Sequence, residues 1–562
     1  MPSNSDSSGE SFPFGMNRRE YMKYFGAAGV ATGLAGCGGD GGGDGNGNGN
    51  GGDNSGDQNT TTPVPEEEQR PFPLTPDATP DEWGATLSTT TDNSAGPIWS
   101  MFGPITTEDT GGAVELDAAT VLPSGNYYSK LNTELIGTND PPYDIVLNIP
   151  LYLGDFMARD VFAPLDEYIG KYDQEKMQSW LDGIIDPYKE FYMKWGGDIV
   201  ALPADGDIHN LFYQHSYFHD DYHTEQYQDE YDEELTVPET WPKYNRVAKY
   251  FTENTDDGVY GAQVFGARPW NFAWWMDRAA SRGVIYFDED MEPGINSDDA
   301  VAALEHMVET MNYSPDGSSQ MGVAETLQQW QQGNVVMCPW WIDLTEFTAR
   351  GDFPVVGNQS SATMPGWEQD DGSIRFNAMM AYNRLFSVPA ALDETTKEQA
   401  VYAILRQVTH PVLTQAVADP YTGLDPSQES HYTEEAAEYY TKANPLRETG
   451  EGFDKNVPIF SPENEPFAGD RTALEQAEQH LAAGEANLKN GFPQPNWPGA
   501  SQYMEDLSIE IQRALEGQKS PQKALDDAAE SWRETLESIG RENQEQVYKQ
   551  NFLEPAKEFG YI

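Results

Sequence analysis

His215, His219 and His223 recur at every fourth residue, a spacing that on a helix brings imidazoles to one face, where they could ligate zinc. They stand in an acidic, tyrosine-rich stretch, 215–237, whose composition predicts a solvated surface loop, so no metal is expected there. Two suitably placed carboxylates could act as the acid and nucleophile of a glycoside hydrolase. With 93 Asp and Glu in the chain, some pair will always look the part, and that signal carries no weight. No Gly-x-Ser-x-Gly elbow, His-Glu-x-x-His or phosphate loop occurs, and no cofactor is implied. Of the two cysteines, Cys37 and Cys338, neither builds a disulfide framework or a thiolate metal site.

Cys37 has a different chemistry in prospect. The segment Asn17-Arg18-Arg19-Glu20-Tyr21-Met22-Lys23 resembles a twin-arginine export signal, followed by a short apolar run from Phe25 to Gly36. That run is too short and too glycine-rich to span a bilayer, which takes about 20 apolar residues. Leu34-Ala35-Gly36-Cys37 resembles a lipobox, so residues 1–36 are expected to be removed and Cys37 to carry a lipid at the outer face of the cell membrane. Residues 37–82, mostly Gly, Asp, Asn, Thr, Pro and Glu, read as a disordered acidic tether.

The formal charge of -60 is spread along the chain. Such a surface repels nucleic acid and anionic lipid headgroups, and it repels itself in dilute buffer. Molar salt shortens the Debye length to about 3 Å and removes that repulsion. The composition therefore points to a haloarchaeal or similarly salt-adapted exported protein.

The elements that must position any site alternate. Ile98–Phe102, Ala113–Leu116, Tyr143–Asn148 and Ile199–Pro203 read as strands, with helices over 125–136, 151–159 and 176–185 between them. Further helices start at Thr240, Ser297 and Thr396, and the chain is mostly helical from Thr472, with Ser520-Pro521 opening a strong amphipathic helix. Alternation of this kind implies parallel α/β sheets.

The order of segments resembles extracellular solute-binding protein family 1, the sugar receptors of ABC importers. Tyr143-Asp144-Ile145-Val146 and Phe162-Ala163-Pro164-Leu165-Asp166 match one family passage. Pro203-Ala204-Asp205, then Leu211-Phe212-Tyr213, Phe218 and Asp220, match its signature, with Asn210 and Gln214 departing from the usual types. Pro238-Glu239-Thr240-Trp241, Gln332-Gly333-Asn334-Val335-Val336-Met337 with Pro339-Trp340-Trp341, Phe386-Ser387-Val388-Pro389, and the run Leu515 to Leu525 follow in family order.

The resemblance implies a two-lobe, type II periplasmic-binding-protein-like α/β fold with ligand held between the lobes. One lobe is expected from 95–205 plus 384–460 and the other from 210–376 plus 470–562, with crossings near 204–210 and 378–384. It implies a monomer that binds a sugar and hands it to permease subunits, without chemistry of its own. A peptide or other small-solute receptor, and a secreted glycoside hydrolase, are the alternatives.

Sugars offer flat C–H faces to aromatic rings and hydroxyl rims to polar groups. Trp340 and Trp341 match the family's cleft tryptophan; as strand neighbours they face opposite ways, so one should stack on ligand and one pack in the core. Asp205 and Asp207 sit at the signature crossing, facing ligand or a solvated turn. Asn148 and Tyr152 follow a strand at the carboxyl edge, where open α/β sheets bind ligands. Trp270 and Trp274 share one helix face, directed to core or ligand; Tyr503 matches a further stacking position, and Arg384 stands at the returning crossing.

Overall fold

Threonine and β-branched residues set the first sheet. In the computed structural model, which describes residues 69–92, 98–117, 119–122, 124–444 and 457–562, Thr89–Asp92 (β1) is followed by the helix Ile98–Asp109 (α1), strand Thr120–Leu122 (β2), helix Ser124–Leu135 (α2) and strand Ile145–Asn148 (β3). Both β2 and β3 run parallel to β1, as helical crossovers require. Helix Pro150–Met157 (α3) opens with proline at its first turn, where no amide hydrogen is needed. Leu202–Pro203 (β4) then leads into the linker 204–208 and the second lobe.

There, His209–Gln214 (β5) is followed by helices His215–His219 (α4), Asp221–Tyr231 (α5) and Trp241–Asn254 (α6), strand Tyr260–Ala262 (β6), helices Asn271–Ala280 (α7) and Asp298–Thr310 (α8), and strands Val335–Trp341 (β7) and Gln359–Ala362 (β8). The sheet order is β6-β7-β5-β8, with β5 antiparallel to both neighbours. Ala378–Met380 (β9) carries the chain back through 381–384 to Leu385–Ser387 (β10), which completes the first sheet in the order β2-β1-β3-β10-β4. Helix Glu394–Thr409 (α9) packs against α1. The C-terminal part supplies Ala473–Leu488 (α10), Gly491–Pro493 (β11), Ala500–Leu515 (α11) and Pro521–Ile539 (α12). β11 pairs with β9, and α11 touches α3 as well as α7, so this region bridges both lobes.

Three expectations are corrected. Ile98–Phe102 forms the start of α1, not a strand: a run of four apolar residues around Ser100 satisfies either element, and the crossover between parallel strands needs a helix. The 215–237 stretch is not a loop. Asp220 accepts from the amides of Tyr222 and His223 to cap α5, and Tyr227 is buried against Tyr231 and Tyr250. Nor does the tether extend to 82, because Phe72 packs edge-on to Tyr172 and Tyr402 and the Leu74 amide donates to the Tyr402 hydroxyl. Arg18, Arg19, Cys37 and residues 37–68 lie outside the described residues. No helix among the described residues is long and apolar enough to cross a membrane.

Candidate functional site

The carboxyl ends of β1 and β3 and the two crossings meet between the lobes. Asp92 ends β1, Asn148 ends β3, Asp205 and Asp207 lie on the outgoing crossing, and Arg384 lies on the return. Arg384 donates to Asp92 at 3.1 Å, to Asp205, and to the Gly423 carbonyl at 2.8 Å, and stands 3.8 Å from Asp207. Burial opposes the guanidinium charge, but Asp92, Asp205 and Asp207 outweigh it and hold its pKa above the ordinary arginine range. Loss of hydration, reinforced by neighbouring carboxylates, pushes Asp207 and Asp425 well above the usual carboxylate range. One oxygen each from Asp205, Asp207 and Asp425 lies within 4.8 Å of the others.

A second layer is aromatic. Phe265 and Trp274 stack at 4.0 Å, and Trp340 and Trp341 stand perpendicular to each other at 5.3 Å. The two indoles differ in what they hold. Trp340 Nε1 donates to Asp343 at 3.2 Å, whereas Trp341 Nε1 donates to the Ala381 carbonyl of the return crossing at 2.9 Å. Both are buried, at 0% and 7% exposure, in this arrangement of the lobes. Trp274 is also buried, its Nε1 donating to the Pro339 carbonyl. Beneath them His209 contacts Asp277 at 2.8 Å and packs on Trp274 and Trp341.

The half-buried rings lie at the lobe seam. Tyr152 stacks on Tyr128 at 3.9 Å, and Trp270 meets the edge of Tyr382 at 4.9 Å. Tyr382 ties these to the charged layer, since its hydroxyl donates to Asp92 at 3.2 Å and Arg384 sits 5.0 Å over its ring. Its φ of 77° is a strained conformation for a non-glycine residue, of the kind found at functional sites. Asn148 is fully buried, and neither polar atom of its carboxamide has a hydrogen-bond partner in the protein.

The structure thus brings Asp205, Asp207, Arg384, Trp340 and Trp341 together through shared partners, with Asn148, Tyr152 and Trp270 toward the seam. Tyr503 stands apart. It is buried against Phe287 and Trp532, with its hydroxyl donating to Gln544 at 2.7 Å. Asp92, Asp343, Tyr382 and Asp425 escaped the sequence reading. Asp92 carried a usable signal, a polar residue closing a threonine-rich strand; Asp425 carried none. The histidines do not converge, since His215 and His219 stack face to face at 3.8 Å and His223 contacts the Tyr250 hydroxyl.

The profile of the bacterial extracellular solute-binding protein family matches residues 104–391. No curated protein matches in sequence. Among solved structures, an ABC transporter solute-binding protein of Agrobacterium radiobacter in complex with ribitol is similar at TM-score 0.58 and 18% identity, covering 81% of this chain and 99% of that one. The maltose-bound MalE3 of T. maritima gives 0.58 and 16%, covering 80% and 100%. A solute-binding protein of Thermotoga lettingae bound with tagatose gives 0.57 and 16%, covering 81% and 100%. At these identities the likeness shows the fold, a two-lobe periplasmic-binding-protein architecture of type II.

Proposed function

Because the chain belongs to the bacterial extracellular solute-binding protein family, we propose that it captures a sugar or sugar alcohol outside the cell and delivers it to the membrane subunits of an ABC importer. The observation that carries the ligand class is the seam itself. Partly buried rings of Tyr152, Trp270 and Tyr382 share this region with the carboxylate of Asp92, which accepts from Tyr382, and with the buried, unpaired carboxamide of Asn148 at the end of β3. Rings cover the C–H faces of a sugar, and the amide and carboxylate take its hydroxyls. The ribitol, maltose and tagatose bound by the structural neighbours support the same class.

Within this reading Trp340, whose indole nitrogen is held by Asp343 on the acid cluster, is the ring that stacks on ligand as the lobes part, and Trp341 serves the core. Asp205, Asp207 and Arg384 hold the crossings under the ligand. Trp274 backs this aromatic floor, and Tyr503 supports the C-terminal helices. The protein is a monomer, anchored through a lipid on Cys37 after twin-arginine export and adapted to high salt.

Thermal shift in molar salt against sugars, sugar alcohols, peptides and polyamines identifies the ligand, since stabilisation follows mass action, about 2.7 kcal/mol at 100 times Kd. Calorimetry on Trp340→Ala is expected to show about tenfold weaker binding, because a stacked ring contributes roughly 0.5–1.5 kcal/mol beyond its area and 1.4 kcal/mol is one decade. Trp341→Ala should mainly lower stability. Unchanged affinity in both variants removes the assignment of the tryptophans; stabilisation by peptides alone, or release of product during incubation, replaces the sugar-receptor reading.

A further inference from the structure

We propose that the crossing between the lobes holds one hard metal cation, Ca2+ or Na+, ligated by the carboxylates of Asp205, Asp207 and Asp425. Oxygens of all three residues lie within 4.8 Å of one another. Oxygens placed about 2.4 Å from a shared ion stand at most about 4.8 Å apart, so the spacing fits the short ligand distances of calcium. The residues are 0%, 3% and 2% exposed.

What points to a ligand, beyond the clustering, is the pattern of unmet acceptors. Asp205 is well provided for, accepting from Arg384 and from the backbone amides of Gly206 and Asp425. Asp207 Oδ2 and Asp425 Oδ2, by contrast, are buried with no donor from any other residue, and the two carboxyls face each other, so that without an ion a proton shared between them is the one partner the protein offers either. Asn383 hangs on the Asp207 carbonyl through its Nδ2 at 3.3 Å, and its own Oδ1 is buried with no donor, a neutral oxygen beside the acidic ones. A buried acceptor left unmet is costly, and an oxygen-only donor set suits a hard cation rather than zinc or copper.

Charge points the same way. Three carboxylates, Asp92, Asp205 and Asp207, share the guanidinium of Arg384, and Asp425 adds a fourth acid beside Asp205 and Asp207. Asp343 and Glu346 add to the negative field from one side, with Arg350 beside them. Like charges in a poorly hydrated interior repel strongly, and a cation at the convergence of Asp207 and Asp425 relieves this while supplying the partner that their oxygens lack. The site joins the outgoing crossing to the segment carrying Asp425, so the ion steadies the hinge and does not depend on the identity of the sugar.

The test uses the intact folded chain, stripped with EDTA and dialysed into choline chloride at constant molar ionic strength, so that surface charges stay screened. Calorimetric titration with CaCl2 and with NaCl, and thermal unfolding in each, are expected to show one cation per chain and a raised Tm with at least one of the two. Asp207→Asn and Asp425→Asn, nearly isosteric and relieved of repulsion, should fold in choline and bind the ion at least tenfold more weakly. Asp229→Asn, on the exposed face of α5, should behave as the unaltered protein. Equal unfolding in choline, Na+ and Ca2+ overturns the site, as does an unchanged cation response in either variant. A proton held by the Asp207–Asp425 pair that neither cation displaces also overturns it, and the titration of the unaltered protein decides even if both variants misfold.

Discussion

Single buried ionisable side chains give the protein an unusual pH response. Loss of hydration pushes Asp343 up to about 7, against the opposing pull of Arg384 and Arg350. Between about pH 4 and pH 7 the folded chain therefore keeps a proton that the unfolded chain has released, and stability falls as pH rises through that window. His306 works the other way. Burial, with the nearby Arg278 charge, pushes it down to about 3, so the unfolded chain binds a proton from about pH 3 to 6.5 that the folded one refuses, and stability rises with pH there. Asp343→Asn should make the falling limb shallower, leaving the share of Asp207 and Asp425, and leave the rising one, read as urea midpoints from pH 4 to 8 in molar salt. Identical profiles for variant and parent would contradict the assigned charge state of Asp343.

At the scale of elements, the contact between lobes depends on close backbone approach. A Cβ built on Gly154 of α3 would lie 2.3 Å from the Trp497 backbone carbon and 2.5 Å from the Asn496 oxygen, which no side-chain rotation can relieve. The same junction is fixed by Asp155, which accepts from the Gly499 amide at 2.8 Å and from Ser501 at 3.2 Å, placing a carboxylate at the start of α11. Gly154→Ala should cost about 1–3 kcal/mol of stability by overpacking. Ligand affinity should change less if the segment only braces the lobes. Urea unfolding and calorimetry separate the two effects, and a fully stable Gly154→Ala protein would show that the junction opens freely. Helix α10 carries an ordinary capping box, Thr472 with Glu475, of the kind legible from sequence.

For the whole molecule, charge and the proposed lipid anchor set the tests. With -60 formal charges the body should lose its native circular dichroism on dialysis to millimolar salt and recover it in molar KCl or NaCl. Retention of the native spectrum at low salt counts against salt adaptation. Cys37→Ser is expected to move the protein from the membrane fraction to the medium, or leave its precursor unprocessed. Persistence in the membrane, with no lipid mass on the mature N-terminus of the parent, would rule out the lipid anchor. Phe72 and Leu74 are seated against Tyr172 and Tyr402.

The sequence by itself determined the alternation of elements and the family, because periodicity, capping residues and ordered motifs act over a few residues at a time. It also picked out Asp205, Asp207, Arg384 and the tryptophan pair, since each sits inside or beside a motif. What only the tertiary structure decided was which partners these residues meet. Asp92 and Asp425 join the cluster from positions more than a hundred residues from Asp205, and nothing local marks Asp425. The same holds for the tryptophans: strand alternation sends their side chains to opposite faces, yet the lobes close over both, because burial is set by the partner surface and not by the strand that carries the ring.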